Sequence, residues 1–144
     1  MTMNKSVSAK MGLKAGSRAL FVNAPADAIA AIEPPMLDVG AESEGDLEGD
    51  FEYIHLFVTR QAALHEEFPK LKAHVKPTGM LWVSWPKAGQ MGTDLTLTKV
   101  IEIGYEYGLV ESKNLRINAI WSALKFTHPK KGKVYRNSYG TLNL

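Results

Sequence analysis

Phe51-Glu-Tyr-Ile-His-Leu-Phe-Val58 is apolar at odd and even positions alike, apart from Glu52 and His55. A strand with one wet face alternates. A strand that is apolar at both parities must be covered on both sides, the condition met inside a parallel, helix-covered sheet. Two more runs share this character: Arg18-Ala-Leu-Phe-Val-Asn23, preceded by Gly12 and Gly16, and Met80-Leu-Trp-Val-Ser-Trp85, stopped by Pro86.

The segments between these runs read as helices. Ala26 to Ile32 is alanine-rich, with Pro25 suited to its first turn and Pro34-Pro35 ending it. Met36 to Val39 is a short second strand. Leu64, Phe68, Leu71 and Val75 recur at helical steps after Thr59, a capping residue, and Glu66 pairs with Lys70 on the wet side. Pro69 should kink or divide that helix. Lys76-Pro-Thr-Gly79 reads as a turn. After a loop marked by Gly89 and Gly92, Leu97, Val100, Ile101 and Gly104 form another helical face. Asp94, Thr96 and Thr98 are candidate caps, and Gly108 is suited to a left-handed end. Leu109 to Ile117 and Trp121 to Phe126 close the series as a hairpin. Strands separated by helices predict a doubly wound, mostly parallel α/β sheet, with the hairpin antiparallel at one edge.

Charge divides the chain unevenly. Residues 33–52 hold eight acids and no base, punctuated by Gly40, Gly45 and Gly49, so 33–50 reads as a solvated acidic loop without the register of a calcium loop. Residues 125–144 hold five bases (Lys125, Lys130, Lys131, Lys133, Arg136) and no acid. The expected organisation is one domain over 1–127 and a basic tail over 128–144. The absence of cysteine excludes disulfides, thiolate metal sites and thiol catalysis. No apolar run approaches the roughly 20 residues of a membrane span, and no apolar segment follows the polar start from Met1 to Lys14. The protein is expected to be cytoplasmic and to have no membrane partner.

The first strand Ala19-Leu-Phe-Val-Asn23, Phe51 to Phe57, Lys76-Pro-Thr-Gly79 before Met80 to Ser84, and the closing hairpin together resemble the methyltransferase-type Rossmann fold. Three segments are similar to a bacterial family of undetermined activity, domain of unknown function 3052: Leu81-Trp-Val-Ser-Trp-Pro-Lys87, Thr93-Asp-Leu-Thr96 and Trp121-Ser-Ala-Leu-Lys-Phe126. This resemblance covers roughly residues 8–127 and leaves the tail outside. It implies S-adenosylmethionine as the candidate cofactor, held by a glycine-rich turn after the first strand and by an acid at the end of the second. Here the turn is Asn23-Ala-Pro-Ala-Asp27, with no glycine, and Pro25 removes a backbone donor. Asp38 is spaced for the acid. The chain between the second strand and Phe51 is too short for the family's further helix, strand and helix, so the sheet is shortened in the middle.

In an open α/β sheet a ligand lies beyond the carboxyl ends of the strands. Asn23, Ala24 and Pro25, then Thr59 with Arg60, then Ser84, Trp85, Pro86 and Lys87 should converge there. Within that set, Asn23, Ala24, Pro25, Thr59, Ser84, Trp85 and Lys87 are the candidate binding residues. Trp121 is a core residue that could also line a pocket. His55 reads as a hydrogen-bonded core histidine, and His65 and His74 lack the spacing of a metal pair. No catalytic or metal-binding set is legible. The first functional expectation is therefore a non-catalytic or regulatory member of the fold that binds a ligand or a protein at the strand ends. The alternative is a compact S-adenosylmethionine-dependent methyltransferase with a divergent cofactor loop. The third is a nucleic-acid-associated protein that uses its basic tail, whose tyrosines could stack on bases.

Overall fold

The structure, a computed structural model, describes residues 6–36, 38–39, 49–129, 135–137 and 140–142. A six-stranded sheet forms the centre. Its strands are β1 (Arg18–Val22), β2 (Asp38–Val39), β3 (Phe51–Phe57), β4 (Val75–Pro86), β5 (Val110–Arg116) and β6 (Trp121–Thr127). The spatial order is β2-β1-β3-β4-β6-β5. The first four are parallel neighbours, and β6 runs antiparallel to both β4 and β5. The doubly wound α/β class with a terminal antiparallel hairpin is thus the observed one. A small separate hairpin of β7 (Tyr135–Asn137) and β8 (Gly140–Leu142) lies beyond it.

Both faces of β3 are covered, as its composition demands. Ile54, Leu56 and Val58 join one core with Leu64, Phe68 and Leu71 of α3 (Gln61–Lys72) and Val100, Ile101 and Ile103 of α4 (Leu97–Glu106). Tyr53 and Phe57 point the other way. Their core includes Ala28 and Ile32 of α2 (Ala26–Ile32) together with Met11 and Leu13, which follow the short α1 (Val7–Lys10). Trp82 belongs to this second core, and its indole N–H donates to the Met11 carbonyl at 3.1 Å. The N-terminal segment is therefore structural, a role its polar sequence did not suggest.

Three local expectations are corrected. Pro69 does not divide α3, which runs unbroken from Gln61 to Lys72. Proline has no N–H for the carbonyl four residues back, here His65. The Tyr107 hydroxyl supplies a substitute, donating to the His65 carbonyl at 3.3 Å and lying 2.9 Å from His65 Nδ1. Removing that hydroxyl leaves the carbonyl without this donor, so Tyr107→Phe is expected to cost about 1 kcal/mol in urea denaturation. If the spacing of α3 tolerated proline by itself, the variant would match the parent.

The second correction concerns Lys76–Gly79, which is not a turn. These residues lie within the long β4, where the register passes from Phe51↔Val75 to Tyr53↔Met80. Three extra residues are therefore arched out of the ladder. A Cβ on Gly79 would lie 2.8 Å from the Phe51 carbonyl oxygen and 3.1 Å from that of Glu52, so the arch needs glycine there. Glu52 braces it by accepting from Lys76 Nζ at 2.8 Å and from the Arg18 N–H at 2.6 Å. The Lys76 hydrogen bond, then the Arg18 N–H, hold its carboxyl below the ordinary glutamate value.

The third is the cap assignment. Thr96 caps α4 by accepting from the Lys99 N–H, but Asp94 serves α3 instead. Its carboxylate accepts from the Gln61 N–H at 2.8 Å, across 33 residues of sequence. The expected second strand shrinks to Asp38–Val39, and most of the acidic 33–50 stretch and Lys130, Lys131 and Lys133 lie outside the described residues.

Candidate functional site

Strand order turns at β1, with β2 on one side of it and β3, the next strand in the chain, on the other. A cleft of about 350 Å³ opens there, at the carboxyl ends of β1 and β3. Asn23 and Pro25 line it from the β1–α2 connection, and Phe57, Val58 and Thr59 from the end of β3. Ala63 of α3, Met91 of the β4–α4 connection and Trp121 at the start of β6 complete it. The Trp121 and Phe57 rings meet edge to face, with centroids 5.3 Å apart and planes at 81°. No ionisable side chain is in the lining.

The walls are tied together by backbone and amide contacts. Thr93 Oγ1 donates to the Thr59 carbonyl at 2.6 Å. The Lys87 N–H donates to the Ile120 carbonyl, and Gln90 Nε2 to that of Ala119. Asn118 Oδ1 accepts from the N–H groups of Ile120 and Trp121, while its amide nitrogen reaches Asp27 of α2 at 3.2 Å. The hairpin tip therefore clasps both the first turn of α2 and the β4–α4 connection. That connection, a 3₁₀ segment over Lys87–Gly92, carries Ala88 and Met91 at φ near +55°. Such left-handed geometry is costly for residues with a side chain.

Of the seven candidate residues, the fold brings Asn23, Pro25 and Thr59 to the cleft. The other four lie elsewhere. Ala24 packs against the α2-side core. Trp85 is buried in the core on the α3 and α4 side. Lys87 is half-buried and outside the lining. Ser84 is fully enclosed, with its hydroxyl 2.6 Å from His55 Nε2. The reason is the pleat: successive residues of a strand face opposite ways, so Ser84 and Trp85 could not both reach one site. The sequence left Phe57, Val58, Ala63 and Met91 unassigned. Phe57 and Val58 were open to assignment, because they immediately precede Thr59 at the end of the same strand.

His55 holds a buried chain of polar groups behind Phe57. Its ring stacks on Phe57 at 4.3 Å, and its Nδ1 lies 2.8 Å from the Tyr53 hydroxyl. The Tyr53 hydroxyl can also donate to Met11 Sδ, at 3.7 Å. One assignment gives every hydrogen an acceptor: Ser84 donates to Nε2, Nδ1–H donates to the Tyr53 oxygen, and Tyr53 donates to sulfur. Complete burial holds the imidazole down at about 3 and pushes the Tyr53 hydroxyl well up. A serine hydroxyl so close to an imidazole has the spacing of an activated nucleophile. Both are fully enclosed, so no substrate reaches them, and the chain of bonds is structural.

The described residues do not fit S-adenosylmethionine as its turn and acid would require. Asn23 takes φ of +60° where a glycine would allow close approach, and Pro25 offers no N–H. Asp38 pairs with Arg18, the first residue of β1, and so lies at the far end of that strand from the cleft. The uncharged lining has nothing to neutralise an amino-acid group. Among the described residues, no cluster of three or more histidine, aspartate or glutamate side chains could hold a metal, and no helix is long and apolar enough to cross a membrane.

Comparison with solved structures places the fold among methyltransferases. Ribosomal protein L11 methylase from Lactobacillus delbrueckii subsp. bulgaricus is similar with a TM-score of 0.59 and 12% identity, over 86% of this chain and 76% of that one. The 1,6-didemethyltoxoflavin-N1-methyltransferase of Burkholderia thailandensis, with 1,6-didemethyltoxoflavin and S-adenosylhomocysteine bound, gives 0.57 and 13%, over 86% and 77%. Magnesium protoporphyrin IX methyltransferase from Synechocystis PCC 6803, with SAH bound, gives 0.56 and 11%, over 85% and 78%. No protein-family model matches the sequence, and the search of curated proteins gives no match.

Proposed function

We propose that the chain is a non-catalytic or regulatory ligand-binding member of the methyltransferase-like fold. Its ligand is a small, uncharged molecule with a flat apolar body, seated in the strand-end cleft. The observation that carries this reading is the cleft itself: it is open at the turn of strand order, walled by Phe57 and Trp121, and free of ionisable side chains. Aromatic walls reward a flat ring, and the polar groups of Asn23 and Thr59 give it an edge to orient against. A charged ligand would lose its hydration and gain no counter-charge. The likeness to the family of unknown function 3052, carried by Leu81–Lys87, Thr93–Thr96 and Trp121–Phe126, and a cytoplasmic location belong to the same proposal.

A second reading, a compact S-adenosylmethionine-dependent methyltransferase, is favoured at the level of fold by the structural likenesses. Methyl transfer asks chiefly for alignment of the two reacting groups, so it does not need an acid–base pair.

One calorimetric titration separates the readings, with adenosine and S-adenosylhomocysteine as probes and the parent compared with Trp121→Leu. An uncharged cleft gains nothing from the zwitterionic tail, so the first reading expects the two probes within about threefold of each other, both weakened in the variant. S-adenosylhomocysteine tighter by tenfold or more, about 1.4 kcal/mol, would install the second reading in its place. No heat from either probe, or from quinoline, at millimolar concentration would remove the cleft as a ligand site.

A further inference from the structure

Met91 lines the strand-end cleft and is nevertheless 63% exposed. Among the described residues, Met36 is the only large apolar side chain more open to water. A long apolar side chain at the mouth of an aromatic-walled cleft gains from a partner that the free protein lacks. The backbone that carries it is unusual too. From Ala88 to Gly92, four of five residues have positive φ: Ala88 at +54°, Gly89 at +73°, Met91 at +55° and Gly92 at +67°. Glycine adopts such values freely, whereas alanine and methionine do so at a cost in free energy.

Strained backbone ordinarily persists where the surrounding packing leaves it no alternative. That packing is missing here. No residue from Lys87 to Gly92 is buried, and a Cβ placed on Gly89 would meet no atom within 4 Å. The segment is fixed at its two ends instead. The Lys87 N–H donates to the Ile120 carbonyl at 2.8 Å, and Thr93 Oγ1 donates to the Thr59 carbonyl at 2.6 Å. Between those anchors, one hydrogen bond among the described residues reaches a distant part of the chain. It runs from Gln90 Nε2 to the Ala119 carbonyl, is 3.1 Å long and is exposed. A segment that is strained, held at both ends and unpacked between them has the low local stability from which moving parts are drawn.

We propose that Lys87–Gly92 is a lid over the strand-end cleft, with Gln90 as the latch that holds it open. The proposal rests on the reading of that cleft as a ligand site. On closing, the segment turns between Lys87 and Thr93, the Gln90 bond breaks, and the Met91 thioether settles on the outer face of the flat ligand. Gly89 and Gly92 take up the change in φ with no Cβ to obstruct it. Closure is favoured only with ligand present, because only then does Met91 exchange water for an apolar partner. An unbranched thioether adapts to rings of different outline, so the lid selects for a flat apolar body rather than for one pattern of substituents.

The test combines calorimetry with methyl NMR on the full chain, with quinoline and adenosine as probes. The methionine methyl groups carry the isotopic label, and the Met91 signal is assigned by its loss in Met91→Leu. Either probe should move the Met91 signal by its ring current and leave that of exposed Met36 in place. Met91→Ala should weaken binding about tenfold, the loss of one buried methionine contact. Gln90→Ala should strengthen it about fivefold, because closing no longer breaks a hydrogen bond. Neither side chain is buried, so both variants should keep the melting temperature of the parent. Opposite signs from adjacent residues distinguish a lid from a fixed wall, which loses affinity or stays unchanged in both. Binding by the parent with Gln90→Ala unchanged or weaker, or with the Met91 signal unmoved, would overturn the lid and leave the cleft standing. No binding of either probe to the parent would remove the cleft as a ligand site and the lid with it.

Discussion

Gly104→Ala is expected to lower stability by about 2 kcal/mol, although alanine is the better helix former. Helix propensity alone predicts a gain of about 1 kcal/mol in the interior of α4. Against this, a Cβ at residue 104 would lie 2.0 Å from Phe126 Cε1 and 2.4 Å from Cζ. The ring cannot swing away cheaply. Phe126 is completely buried and meets Phe68 edge to face at 5.3 Å, so any displacement passes into α3. Overpacking of a close-fitted core costs on the order of 1–3 kcal/mol and occasionally more, and here it outweighs propensity. Urea denaturation of Gly104→Ala decides the sign. Adding Phe126→Leu should recover part of the loss by making room for the methyl group. A stabilised single variant would mean that α4 can lift from the sheet without cost, contrary to the packing described above.

The second large effect is loss of stability in mild acid, traced to His55. Its imidazole has an ordinary value of 6.5 and is held at about 3 in the folded protein by burial. Below pH 6.5 the unfolded chain takes up a proton that the native state refuses. Stability therefore falls as pH drops from 6.5 toward 3, at up to roughly 1.4 kcal/mol per pH unit. About 2 kcal/mol is expected to go between pH 6.5 and 5. Glu52 acts in a lower window, because a carboxyl held below its ordinary 4.5 loses its contribution only as the pH falls through that range. Denaturant titrations at pH 7.5, 6.5, 5.5 and 5 thus isolate the histidine. His55→Gln should begin from a lower stability at neutral pH, having broken the bonds to Tyr53 and Ser84, yet show a flatter profile. A parent profile without slope between 6.5 and 5 would mean that the core admits the imidazolium.

Where one segment contained its own reason, the sequence was a good guide. The two-faced run at Phe51–Val58 demanded cover on both sides and received it, and Thr96 is three residues before the N–H it caps. What sequence reading missed depends on groups far apart in the chain. Nothing near Pro69 announces that a tyrosine 38 positions later repairs the helix, and nothing near Asp94 announces that it caps α3. The arch at Lys76–Gly79 looked like a turn because proline and glycine mark both. Only its partner strand shows that β4 resumes the same ladder afterwards. At the cleft, Asn23, Pro25 and Thr59 followed from strand ends. Ser84 and Trp85 were grouped by nearness in sequence, which the alternation of a strand forbids.

The hydroxyl that repairs the helix also ties together events in folding. The first turns of α3 can satisfy their own backbone, but the turn broken by Pro69 is complete only when Tyr107, just past the end of α4, has arrived. Closing that loop costs chain entropy before any gain is realised. The second half of α3 and the end of α4 are therefore acquired together and lost together, a single cooperative unit. Fraying of one helix end in the native protein exposes an unbonded carbonyl in the middle of the other.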